Sequence, residues 1–231
     1  MTAIGLRQAR KTKGWTQQEA AARLGLSQTY LSLLEQGKRQ VPKSRIRRVL
    51  AVYDSLSPLA LPMRGQKNWA GMGSLKLAQQ LGGLGYPGFA YMRARATWNP
   101  AELLVAALTK DDLEIRTAEA LPWLALAFSN MDWDWVVKQT KINDIQNRLG
   151  FVVTLARLIA EQMNNTAIAD RLREVEKKLH ASVLARELTF CNEHMPQAER
   201  RWLKKNSTRE AKHWNVLSDL SVEHLSHAVE G

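Results

Sequence analysis

The segment from Gly14 to Pro42, GWTQQEAAARLGLSQTYLSLLEQGKRQVP, constrains the fold more than any other. Thr16 is an N-cap, and Glu19 three residues later completes a capping box. The helix they start runs to about Leu24, where Gly25 supplies the positive φ of a tight turn. Ser27 caps the next helix, Gln28 to Gln36, which ends at Gly37. Flanking helices are expected over residues 3–13, with Leu6 and Ala9 inward, and between Ser44 and Tyr53.

Two short helices joined by a glycine-containing turn describe a helix-turn-helix, whose second helix presents its N-terminal residues to base edges in the major groove. Gln28, Thr29 and Ser32 share the face opposite Leu31 and Leu34, which point to the core. Gln pairs bidentately with adenine, and a Thr methyl touches the thymine methyl, so these three are the candidate base contacts. Gln17 sits at a helix start, where amide dipoles meet a phosphate. Lys38, Arg39 and Lys43 add phosphate contacts without sequence information, and Tyr30 fits either set. Leu33 contacts a thymine methyl or packs half-buried.

The segment resembles the Cro and lambda-repressor type of helix-turn-helix, the XRE family, over about 55 residues. Ala21 is small where the helices cross, Gly25 occupies the turn, and Leu31 and Leu34 hold core positions. The resemblance implies an Arg near the end of the first helix and a Glu at the end of the third, matched by Arg10 and Glu35. It further implies double-stranded operator DNA as partner, read by a homodimer over half-sites about 34 Å apart.

Charge supports this division of labour. The net charge of the 231 residues is +11, of which residues 1–57, with 11 basic and 3 acidic residues, hold +8. Residues 58–101 add five basic and no acidic residues, and residues 102–231 carry 17 against 19. Such a distribution favours a polyanion at the N-terminal end. The expected class is all-α: a four- to five-helix domain over 1–57, a basic Gly/Pro-rich connection over 58–100, and a helical domain over 101–231 for oligomerisation or partner binding.

Several classes are set aside. Met1 to Ile4 show no basic-then-apolar leader pattern, no run of about 18 apolar residues spans a membrane, and one cysteine forms no internal disulfide, so a cytoplasmic protein is expected. Gly83, Gly85 and Gly88 match G-x-G-x-x-G without the preceding strand, and Pro87 opposes the helix start. The aromatics Tyr86, Phe89, Tyr91 and Trp98, interleaved with Arg93 and Arg95, either dock this connection on a neighbouring domain or stack on nucleic acid. Cys191 with His194, and His224 with His227, have i, i+3 spacing, but nothing brings the two pairs together. Asp132 and Asp134 read as helix-start carboxylates. No cofactor, metal or enzymatic activity is expected.

After a short helix over 74–81, the remaining chain reads as helices. Asn99, Pro100 and Glu102 start one that runs to Leu108; Asp111 or Asp112 starts another that Pro122 breaks; Asp132 caps the next. Ile142, Ile145, Leu149, Val152, Ala156, Ile159 and Met163 form a seam, and Ile168, Leu172, Val175, Leu179 and Val183 form a second. The helices of 142–163 and 168–183 pair within or between chains, with the short break between them favouring the former. Further helices follow Pro196, then a box of Ser207 and Glu210, then Ser221. Arg200, Arg201, Lys204 and Lys205 form a solvated basic face or a second polyanion site.

The segments GYPGFAYMR, DWDWVVKQTKINDIQNRLGFVVTLAR and AERRWLKKN…EAKHWNVLSDL resemble helix-turn-helix proteins encoded beside abortive-infection nucleotidyltransferase toxins, which act as antitoxins. That resemblance implies a repressor that autoregulates its operon and restrains a nucleotidyltransferase-type toxin through its C-terminal helices. The alternative is a one-component regulator whose C-terminal domain binds a small effector in a pocket lined by several tryptophans.

Overall fold

The computed structural model describes residues 3–53, 57–63, 65–66, 69, 71–92, 94–190 and 192–225. Arg93, Cys191 and His227 lie outside these, as does the side chain of Lys43. The chain divides into two units, residues 1–63 and 64–231.

Unit one holds α1 (Ala3–Thr12), α2 (Gln17–Leu24), α3 (Gln28–Glu35) and α4 (Lys43–Val52), then a 3-10 turn at Pro58–Ala60. Local chemistry sets these boundaries. Thr16 accepts from the Glu19 amide while the Glu19 carboxylate accepts from the Thr16 amide at 2.7 Å, so the capping box is complete. Gly25 ends α2 at φ +65°, and Ser27 accepts from the Tyr30 amide to start α3. The inward faces of the four helices, among them Leu6, Ala9, Ala21, Leu24, Leu31, Leu34, Val49 and Tyr53, form one core.

The boundary between units falls six residues beyond the expected end of the first domain, and residues 74–98, expected within a connection, are built into unit two. Helix α5 (Ser74–Gly83) holds the chain that follows it against its own C-terminal end. Gln80 Oε1 accepts from the Thr97 amide at 2.8 Å and from the Trp98 amide at 3.1 Å. A Cβ on Gly83 would lie 2.4 Å from the Ala96 nitrogen, and one on Gly88 2.6 Å from the Tyr86 ring. These glycines of the G-x-G-x-x-G match therefore serve close packing. Tyr86, Phe89 and Trp98 are buried, with Tyr86 in ring contact with Phe89 and Trp123, whereas Tyr91 is exposed.

Unit two continues with α6 (Pro100–Leu108), α7 (Ile115–Ala127), α8 (Trp133–Ile142), α9 (Gln146–Gln162), α10 (Thr166–His180), α11 (Gln197–Asn206) and α12 (Arg209–His213). Two-residue strands, β1 (Leu188–Thr189) and β2 (Val216–Leu217), pair in parallel, which the helical reading did not anticipate. Helix α9 is the central element. Leu149, Phe151, Val152, Val153, Leu155, Ala156 and Ile159 are all fully buried, the signature of a helix with neighbours on every side. Helices α9 and α10 pack within the chain, linked by Arg157 to Glu176 at 2.9 Å and Arg173 to Glu161 at 2.8 Å.

Four expectations are corrected. Pro122 lies inside α7 and does not break it. The proline costs about 3 kcal/mol, but burying Leu121, Leu124 and their neighbours returns about 1.5–3 kcal/mol per large side chain, so the helix continues. That helix starts at Ile115; Asp111 and Asp112 instead join residues 192–194, through a bridge between Asp112 and Asn192 and a bond from the Glu193 amide to Asp111 O. The first seam is interrupted because Asp144, at φ +54°, separates α8 from α9 and leaves Ile142 exposed at the end of α8. Thr208, not Ser207, caps α12, because the Ser207 hydroxyl donates to Leu203 O at 2.7 Å and accepts from the Ser218 amide.

Candidate nucleic-acid interface

Helix α3 turns Leu31 and Leu34 into the unit-one core and leaves Gln28 and Thr29 exposed at its start. Ser32 is half-buried one turn on, where its hydroxyl oxygen accepts from Gln36 Nε2 at 3.1 Å. Its own proton stays available to an acceptor. Tyr30 packs partly against the core, and Leu33 is half-buried. Lys38 and Arg39 are exposed just beyond α3.

A hydrogen-bonded network fixes how α3 is held. Arg10 donates from Nε and Nη2 to the two carboxylate oxygens of Glu35, at 2.7 and 3.0 Å, and from Nη1 to Trp15 O at 2.8 Å. Gln17 Nε2 donates to the same carboxylate at 3.0 Å. Burial works to raise the Glu35 pKa, but the bonds from Arg10 and Gln17 outweigh it and hold the carboxyl below its ordinary value. The bond to Glu35 raises that of Arg10 in turn. Gln17 thus ties the start of α2 to the end of α3, with an amide hydrogen committed inward to Glu35. Bonds from the Thr16 amide and hydroxyl hold the carboxyl of nearby Glu19 below its ordinary value.

Two arginines that the sequence reading did not single out hold the turn. Arg45 donates to Gly25 O at 3.0 Å, and Arg48 donates to Arg23 O at 3.2 and 3.3 Å. These carbonyls close the C-terminal end of α2, where a cation also meets the negative end of the helix dipole. The Arg48 guanidinium lies over Gly25, 3.2 Å from where a Cβ would stand. Their i, i+3 spacing, one face of α4, was the signal available. Arg23 itself lies 4.4 Å over the Trp15 ring.

Among the described residues, no group of three or more His, Cys, Asp and Glu is placed to hold a metal ion, and no helix is long and apolar enough to cross a membrane. No curated protein matches the chain, and no solved structure does. A helix-turn-helix family model matches residues 6–61, about a quarter of the chain and nearly all of unit one. Residues 6–61 are therefore a helix-turn-helix domain, which supports a DNA-binding transcriptional regulator.

Proposed function

We propose that the chain is a cytoplasmic repressor that binds operator DNA through α3 as a homodimer, and that it is the antitoxin of a toxin–antitoxin operon. The observation that carries the DNA reading is the outward pair Gln28 and Thr29 on a helix whose far end is clamped by Arg10, Glu35 and Gln17. Side chains that read bases must be held by rigid supports, and this network supplies them. Ser32 extends the base-reading face; Lys38, Arg39 and Lys43, with Gln17 and Tyr30, serve the backbone. A gel shift on the upstream intergenic DNA tests the assignment. Replacing Gln28 and Thr29 by Ala should lower the preference for operator over random DNA by about tenfold or more, since each good base pairing contributes about 1–3 kcal/mol. Unchanged preference refutes the readout.

The antitoxin part rests on the sequence resemblance of the C-terminal segments. The toxin it would restrain is a nucleotidyltransferase-type protein from the same operon. Co-expression should relieve the toxicity of the neighbouring gene's product; persistent toxicity refutes this role.

A further inference from the structure

Unit two carries an open groove of about 440 Å³ between the start of α7, α11 and the segments that flank β1 and β2. Its floor is apolar, made by Phe190, Leu203 and Leu217. Ile115 and Trp202 stand on its rim at 78% and 52% exposure, and these two exposures define the patch as open. Single exposed apolar side chains need no explanation, but two large ones over an apolar floor mark a contact surface. Trp is also the residue type that most often anchors a protein interface.

Charge identifies the occupant. Glu119, Glu199 and Asp219 line the groove, and no Lys or Arg among the described residues lines it. Several carboxylates elsewhere in the unit are paired, among them Glu161 and Glu176 with Arg157 and Glu187 and Glu193 with Arg200. The three in the groove take part in no ion pair among the described residues. Helix α11 turns Arg200 and Lys204 to Glu187, while Glu199, Trp202 and Leu203 face the groove at i, i+3, i+4. We infer that this groove docks a cationic amphipathic segment of a partner protein, with an apolar side chain on the floor and Lys or Arg against the three carboxylates. The inference rests on the reading of unit two as a protein-binding module and names the chemistry that module recognises.

The test uses the full chain and two fluorescein-labelled helical peptides of identical leucine pattern, one with lysine and one with glutamate at the remaining positions. Fluorescence anisotropy at low salt should give at least tenfold tighter binding of the lysine peptide. The +11 net charge works against that ranking, so a bulk electrostatic effect would order the peptides the other way. Glu199→Lys with Asp219→Lys should lower the lysine-peptide affinity about tenfold, and Trp202→Ala should weaken both peptides, while operator binding is unchanged. Equal or inverted peptide ranking, or indifference to the charge reversal, overturns the proposal. So does a dimer in sedimentation that Trp202→Ala dissociates, since the groove would then be filled by a second copy. Toxicity rescue separates the two readings. Failure of the wild-type chain to rescue refutes the antitoxin role and leaves the peptide ranking to decide the groove, whereas rescue that survives the charge reversal refutes the groove alone.

Discussion

Arg10 grips both carboxylate oxygens of Glu35 across 25 residues of sequence, with the carboxylate side chain only 2% exposed. Removing one partner leaves an uncompensated charge, so Arg10→Met should destabilise unit one by about 3 kcal/mol. The pH dependence has a definite sign. Because the folded-state pKa of Glu35 is depressed, its contribution is complete above the unfolded value near 4.5 and is lost as pH falls through the folded value. Hydrogen exchange of the α3 amides should speed up as pH drops below about 4.5, relative to the intrinsic rate, and Glu35→Gln should flatten that dependence.

Lys38 and Arg39 are exposed just beyond α3, joined to it through their backbone amides, which donate to Leu33 O. If they serve phosphates, each Ala replacement should reduce the slope of log affinity against log salt by about 0.9 and leave base preference untouched. Titrations at several salt concentrations, on operator and on random DNA, measure both. A changed base preference would move these residues into the reading set.

Arg48 bridges α4 to the turn through Arg23 O. Arg48→Ala should cost about 1 kcal/mol of stability and weaken operator binding more than random-DNA binding, because the angle between α2 and α3 relaxes. Gel shifts on the two DNAs distinguish this from simple loss of a positive charge, which would weaken both alike.

How much was legible follows from the range of the forces. The caps Thr16 and Ser27 and the turn glycine Gly25 are fixed by local chemistry, and the structure has them where the sequence suggested, whereas the ion pair that Arg10 and Glu35 make across 25 residues was not legible from their places at two helix ends. Unit two resisted reading because its determinants are distant. Pro122 reads as a breaker until the burial on both sides of it is known. The α9 seam shows one face of a helix that is buried on all faces. Arg148 looks like a surface charge interrupting an apolar helix, yet it is buried and donates to Thr189 O, Leu108 O and Lys110 O at 2.8–2.9 Å. No local pattern announces carbonyl partners some forty residues away on either side.

The exposed pair Asp112 and His194 clasps the α6–α7 connection to the segment after β1, through a side-chain contact and a bond from the His194 amide. Donating to Asp112 raises the His194 pKa, and accepting from His194 lowers that of Asp112. The His194 part of the clasp is therefore fully present below about 6.5 and is lost as pH rises through its folded value; the Asp112 part is lost as pH falls below about 3.8. An NMR titration should find His194 above the ordinary histidine value, and Asp112→Asn should return it there. Identical titration in both proteins would mean the clasp does not form in solution.

Gly150 on α9 lies directly beneath the indole of Trp214, where a Cβ would stand 2.3 Å from the ring. One turn along the same helix, Thr154 Oγ1 accepts from the indole Nε1 at 2.8 Å, and His180 stacks on the ring at 4.6 Å. The indole is fully buried, so it can neither tilt away from a new methyl without losing the Thr154 bond nor move outward without opening the core. Gly150→Ala gains up to about 1 kcal/mol of helix propensity, which overpacking of about 1–3 kcal/mol outweighs. Net destabilisation is the expected outcome in urea unfolding. Trp214→Leu alone should also destabilise, by leaving a cavity and an unpaired Thr154 hydroxyl. The double variant discriminates: with the smaller side chain above it the added methyl has room, so the two losses should sum to more than the measured one by about 1 kcal/mol or more. Strict additivity would show that the indole does not rest on Gly150.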